Sequence, residues 1–281
     1  MNRIVTRYYL GKFMRAYIWE RIFREKLAEP LHLQLISLLI GISGSFRAKV
    51  YFDLVFRPHH AFALLRAADR ARQLGIRTGT SIEFGVAGGY GLLNMSRLAQ
   101  RIEKVTGVKF RVIGFDTGKG LPPPRDWRDH PDFYRRGEYA MQEHDLLKRS
   151  LPDFAELIFG DMVETVPAFL ARLDPAAPIG FVSVDVDYYW SAVEALRVLE
   201  SPDPRQYLKT TYVYLDDIAF EDHSKWAGEL LAVEEFNGRN QMRKICPLTM
   251  LRQKRVMKNA QWIDHMHALH VLDHPERQVR D

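Results

Sequence analysis

Residues 179–189 read IGFVSVDVDYY, an apolar and β-branched run that breaks off in two aspartates and two tyrosines. A strand of this composition is buried on both faces, as in a parallel sheet, so carboxylates at its end need water or a partner. Further along, residues 211–218 read TYVYLDDI and again finish in aspartate. Two apolar strands that both end in acid define the problem the rest of the chain has to answer.

Outward from this stretch the organisation is regular. HHAFALLRAADRARQLG carries an apolar helical face (Phe62, Leu65, Ala68) and stops at Gly75, and TSIEFG follows as a short buried strand. The alternation continues as helix GLLNMSRLAQRIEKV, strand FRVIGFD, a long polar insertion, strand AELIFGD and helix ETVPAFLARL. After IGFVSVD come helix WSAVEALRVLE, strand TYVYLDD and helix KWAGELLAVEEFN. Strands alternating with helices in this way imply an α/β fold, a mostly parallel sheet covered by helices on both faces. The final part, from MRKICPLTM to HALHVLDH, reads as a closing hairpin at the sheet edge, with the basic run RQKRVMKN as its solvated turn. There is no internal repeat and no low-complexity linker. The expected division is a helical appendage over 1–58 and one domain over 59–281, with the insertion 117–144 as a candidate substrate loop.

A chain of 281 residues with 47% apolar content can bury the core this division needs. The single cysteine, Cys246, excludes an intramolecular disulfide, suits a reducing, cytoplasmic compartment, and is expected as a small buried apolar residue. The net charge of +5 is unevenly placed. Residues 1–26 hold seven basic against two acidic side chains, and the rest of the chain balances to zero. No secretory signal fits, because the next apolar stretch begins only at Leu35 without a small-residue cleavage site. LHLQLISLLIGISG is too short for the ~20 residues of a transmembrane helix. Within the leader, Leu10, Phe13, Met14, Tyr17, Ile18 and Ile22 recur at helical spacing between basic residues. The first reading is a helix packed on its own domain or on a neighbouring subunit of a homo-oligomer; the second is a peripheral membrane contact through residues 1–26.

In an open parallel sheet, ligands bind beyond the carboxyl ends of the strands. Here those ends carry Glu83 with the glycine loop FGVAGGYG, then Asp116, Asp161, Asp185 and the pair Asp216–Asp217. The loop spacing, Gly85-x-x-Gly88-Gly89-x-Gly91, departs from the dinucleotide pattern, and Glu83, Asp161 and Asp185 are expected to repel a pyrophosphate. A ligand with a cationic centre and a free ribose fits better. Asp116 can accept hydrogen bonds from ribose hydroxyls while Glu83 lies near the positive part, and S-adenosylmethionine has both features.

EFGVAGGYGLL, GFDTGKGLP, GDMVETVP, VDVDYYWSAVEAL and YLDDI, in this order, resemble the macrocin O-methyltransferase family of class I S-adenosylmethionine-dependent methyltransferases. The resemblance runs from about residue 79 to Asn237. It implies a Rossmann-like seven-stranded sheet with an antiparallel last strand, and transfer of methyl to a hydroxyl of a small sugar or natural-product-like acceptor. It also implies that Glu83, Gly85, Gly88, Gly89, Asp116 and Asp161 serve the cofactor, and that Asp185, Asp216 and Asp217 hold magnesium. Three carboxylates at a sheet edge suit a hard cation that keeps some waters. Asp185 or His223, six residues after the metal pair, is the expected base. Asp187 stands open between ligand, helix cap and supporting acid. The insertion departs from the family pattern at Gly118 and Lys119; its Trp127, Phe133, Tyr134 and Tyr139 could form an acceptor wall, and Arg135 and Arg136 could meet an acidic group.

Two other features carry less. His265, His267 and His270 lack the spacing of a zinc site, and RQKRVMKN on an otherwise neutral domain does not point to nucleic acid. The rival readings are a non-catalytic S-adenosylmethionine-binding module and a nucleotide-dependent enzyme on a similar sheet.

Overall fold

The structure, a computed structural model, describes residues 19–20, 23–219 and 223–278. The leader stripe from Leu10 to Ile18, and Ile22, lie outside the described residues. After a short π-helical turn (Phe23–Leu27) come helices α1 (Leu31–Ser43) and α2 (Phe46–Tyr51). The alternating part runs α3 (Pro58–Gln73), β1 (Thr78–Phe84), α4 (Tyr90–Thr106), β2 (Lys109–Asp116), α5 (His144–Ser150), β3 (Ala155–Phe159) and α6 (Met162–Leu170). It continues through β4 (Ile179–Val184), α7 (Tyr189–Leu196), β5 (Tyr207–Leu215) and α8 (Gly228–Arg239). The chain then closes with β6 (Arg243–Pro247), the short α9 (Leu251–Lys254) and β7 (Met266–Val271).

The seven strands form one sheet in the order β3-β2-β1-β4-β5-β7-β6. Strands β1 to β5 pair in parallel, and β7 lies antiparallel between β5 and β6. This is the Rossmann-like sheet with an antiparallel last strand that the resemblance implies. The expected hairpin is therefore present, but β7 inserts between β5 and β6 and leaves β6 at the edge. That placement corrects one expectation: Cys246 is exposed. Alternation on an edge strand buries Ile245 and turns its neighbour outward.

Two apolar cores fill the two faces. One gathers Phe62, Leu65 and Ala68 of α3 with Leu92, Met95 and Ile102 of α4 and Phe181 of the sheet. The other packs Phe169 of α6, Ala192 of α7 and Phe236 of α8 on Ile82, Ile113 and Val182. The helical face expected for α3 is thus the buried one.

The segment before α3 is tied to the segment that leads into β7. Arg255, buried, pairs with buried Asp53 at 2.6 Å and donates to the carbonyls of Val50 and Tyr51, while Trp262 Nε1 donates to the other Asp53 oxygen. Glu29 accepts from the backbone N–H groups of Lys258 and Asn259. The basic run is consequently not the freely solvated turn expected from its composition. Arg255 needs a buried partner that lies about two hundred residues away in sequence, which no local pattern shows.

Candidate active site

The parallel register brings the strand ends to one level: Phe84 faces Phe115 on one side and Val184 on the other, and Val184 faces Leu215. The ladder continues one residue further. The N–H of Gly85 donates to Phe115, that of Asp185 to Phe84 and that of Asp216 to Val184, at 3.0–3.1 Å. Backbone hydrogen bonds therefore fix where these side chains start. Because β2 and β4 flank β1 on opposite sides, the crevice at the switch point opens above Gly85.

A cavity of about 460 Å³ occupies that crevice. Glu83, Gly85, Gly88, Asp116, Asp185, Asp187, Asp216 and Asp217 all line it. The glycine loop turns through left-handed backbone at Gly85 (φ 80°), Ala87 (φ 44°) and Gly89 (φ 81°). The Asp116 carboxylate stabilises this path, accepting from Ala87 N–H at 2.7 Å and from Gly118 N–H at 2.6 Å. Glu83 is buried against the start of α4, where a Cβ on Gly91 would lie 1.7 Å from its Oε1. Its Oε2 has no hydrogen-bond partner among the described residues. A buried carboxylate with one unpartnered oxygen, on a residue that lines the cavity, suits a cationic ligand group. The residues present thus fit the sulfonium and ammonium end of S-adenosylmethionine.

Asp185, Asp216 and Asp217 each offer one carboxylate oxygen within 4.8 Å of the others. Such a cluster of oxygen donors fits a hard divalent cation, and magnesium is the expected one. Asp217 is the deepest of the three. Its Oδ1 accepts from the Tyr134 hydroxyl at 3.1 Å, and its N–H donates to Glu229, itself buried at the start of α8. Burial, first, and the neighbouring carboxylates, second, push Asp185, Asp217 and Glu229 well above the usual carboxylate range. The same causes raise Asp187 to about 7, and burial raises Glu83 to about 7 against the opposing charge of Arg57.

These shifts predict how the metal-free protein responds to pH. Each group binds its proton more tightly folded than unfolded, so its stabilising contribution is complete below the unfolded pKa near ~4 and fades as pH rises through the folded value. Melting temperature without metal is expected to fall between about pH 4.5 and 8, and magnesium is expected to restore it at the upper end. Calorimetric scans with chelator and with magnesium check this; a flat profile without metal would show that the cluster carries no repulsion.

The remaining expected residues divide between the cavity wall and its surroundings. Gly89 caps α4 and backs onto Leu147, where a Cβ would lie 2.4 Å from Cδ1. Asp161 is exposed and caps α6 through Val163 N–H at 3.0 Å; it lines a second cavity beside the first. His223 is not among the cavity-lining residues. Its Nδ1 lies 2.6 Å from the Asp217 carbonyl and its ring stacks on His130. A carbonyl partner requires the proton on Nδ1, which leaves Nε2 as the basic nitrogen. Asp187 holds left-handed backbone (φ 60°), lines the cavity and lies outside the three-carboxylate cluster.

The insertion divides between support and wall. Tyr134 and Tyr139 reach the site, the latter lining the cavity. Buried Asp129 accepts from Arg125 N–H and from Trp190 N–H at the start of α7, pinning the loop to the strand-end segment. Trp127, Arg135 and Arg136 are exposed.

Sequence reasoning missed Arg57 and Glu229. Arg57 stands at the N-cap of α3, just before Pro58, in a left-handed conformation (φ 46°), and lines the cavity. The Arg-Pro dipeptide marks a helix start and says nothing of a cavity. Glu229, in an ordinary helical run, offered no signal.

No family model and no curated protein matches this chain. Among solved structures, it is similar to CalS11, a calicheamicin methyltransferase, at 26% identity, with 73% of this chain and 83% of that one covered and a TM-score of 0.47. It is similar to the O-methyltransferase NovP at 18% identity, with 64% and 71% covered and a TM-score of 0.47. The plantazolicin methyltransferase BpumL is 14% identical, with 85% and 96% covered and a TM-score of 0.32.

Proposed function

We propose that the chain is an S-adenosylmethionine-dependent O-methyltransferase, assisted by magnesium, that acts on a hydroxyl of a small sugar or natural-product-like acceptor. The observation that carries this reading is one cavity lined at one side by Glu83 and Asp116 beside a left-handed glycine loop, and at the other by Asp185, Asp216 and Asp217. S-adenosylmethionine, when bound, supplies a methyl group on a sulfonium leaving group. Magnesium, when bound, supplies positive charge that favours the acceptor's oxyanion.

The chain's own residues do the rest. Glu83 faces the cationic end of the donor, and Asp116 has acceptor capacity beyond its two backbone bonds for ribose hydroxyls. Asp185, Asp216 and Asp217 hold the cation, with Tyr134 orienting Asp217 through its hydroxyl. Tyr139, with Gly120, Leu121 and Pro122 of the pinned insertion, forms part of the cavity wall against which an acceptor would be positioned. As the oxygen–methyl bond forms and the carbon–sulfur bond breaks, the hydroxyl proton passes to Asp185, which lines the cavity, while His223, outside the lining, holds Nδ1 against the Asp217 carbonyl. A cytoplasmic location, in keeping with the unbridged, exposed Cys246, belongs to the same reading.

Calorimetric titration tests this reading directly, with S-adenosylmethionine and NAD offered separately, in magnesium and after chelation. Binding of S-adenosylmethionine, together with magnesium binding, is expected. Binding of NAD alone would overturn the reading, and S-adenosylmethionine binding without any magnesium response would favour a non-catalytic binding module or metal-free transfer.

A further inference from the structure

Helix α1 is built inside out. Its thirteen residues, LHLQLISLLIGIS, contain no charged side chain, and the one fully buried position is Ser37. Leu31, Leu35, Leu38, Leu39 and Ile42 recur at helical spacing along one face, and each is between 58% and 76% exposed. Leu33, Gln34 and Ile40 lie half-buried on other sides, and the Gln34 side-chain amide donates to the carbonyls of Leu27 and Glu29. Phe23 and Leu27 extend the exposed apolar surface just before the helix. Together these side chains present roughly 700 Å² or more of apolar surface, above the largest patch a typical soluble monomer exposes.

Water is a poor neighbour for such a face, because apolar area left uncovered is unfavourable in proportion to its extent. The helix is too short to cross a bilayer, since thirteen residues rise only ~20 Å against a ~30 Å hydrocarbon core. Among the described residues, no helix is long and apolar enough to span one. It can instead lie in the interfacial plane with its outer stripe among the acyl chains.

Charge decides which partner fits. The whole net charge of the chain resides in residues 1–26, immediately before this stripe, while α1 itself is neutral. A second copy docked stripe to stripe would add another leader of the same sign. An anionic lipid surface meets both features, covering the stripe and attracting the basic leader. An apolar anchor combined with a polybasic segment is the two-signal combination that holds a protein at a membrane. We propose that α1 is a membrane-docking helix, which seats the full-length protein on anionic bilayers.

The test is co-sedimentation of the full chain with vesicles of phosphatidylcholine alone and of phosphatidylcholine with roughly one-third phosphatidylglycerol. Binding to the anionic vesicles, weakened by salt, is expected. Leu35→Glu with Leu39→Glu should reduce it by about tenfold or more at unchanged melting temperature, since both side chains are exposed. The milder Leu38→Asn should give a smaller loss in the same direction. Wild-type protein that stays in the supernatant overturns the proposal. So does a double variant that binds vesicles like wild type while a dimer, followed by sedimentation velocity, dissociates to monomer; that result assigns the face to a second copy.

Discussion

Asp217→Asn is expected to lower turnover by on the order of a thousandfold, to abolish its dependence on magnesium, and at the same time to make the metal-free protein more stable. The two effects share one cause. Asp217 is buried beside Asp185, Asp187 and Asp216, and both burial and those neighbours oppose its charge. Asparagine keeps the shape and can still accept from the Tyr134 hydroxyl, so the hydrogen bond at 3.1 Å survives while the charge does not. Without metal, the variant should melt at a higher temperature at neutral pH, because asparagine carries no charge for burial and the neighbouring carboxylates to oppose. With magnesium, the order should reverse, because the wild type gains binding energy that the variant cannot. Steady-state turnover and melting temperature, each measured with magnesium and with chelator, give the full comparison. A variant that remains activated by magnesium and is destabilised in chelator would remove Asp217 from the proposed metal site. S-adenosylmethionine affinity should change little, since Glu83 and Asp116 stand at the other side of the cavity.

Gly85→Ala is the second large effect, and it acts on the fold and the site together. Gly85 sits at φ 80°, where a side chain is disfavoured, and an added Cβ would lie 1.6 Å from the Asp185 backbone oxygen. Neither backbone can retreat easily. Gly85 N–H is bonded to Phe115 and Asp185 N–H to Phe84, both at 3.1 Å, so relief requires β1 and β4 to part at the level of the cavity. A loss of about 3–5 kcal/mol is expected, equivalent to roughly 10 °C in melting temperature, together with loss of S-adenosylmethionine binding. Gly75→Ala provides the control. Its φ is 71°, but nothing lies within 4 Å of the added Cβ, so only the left-handed conformation is penalised, by about 1 kcal/mol. Equal losses for the two substitutions would show that close approach of β1 to β4 contributes nothing.

The local patterns in this chain carried far. Hydrophobic period separated strands from helices, so the alternation from residue 59 onward and the acidic strand ends could be read directly, and the resemblance supplied an antiparallel last strand that the sheet contains. Departures arose where a residue's role depends on a distant partner. Asp161 reads like Asp185 in sequence, an aspartate after an apolar strand. Yet it caps its own helix and is exposed, because β3 lies at the sheet edge, two strands away from β1. Cys246 faces outward because β7, not β6, took the inner place.

What this sequence determined by itself is therefore the set of elements and the acids at their ends, since both follow from side-chain period and from the chemistry of neighbouring residues. Tertiary structure alone decided which acids meet. Strand order and register bring Asp185 and the Asp216–Asp217 pair within 4.8 Å, and packing adds Tyr134, Glu229 and Arg57 from three separate segments. Convergence of that kind rests on contacts between residues far apart in the chain, and a local pattern holds no record of them.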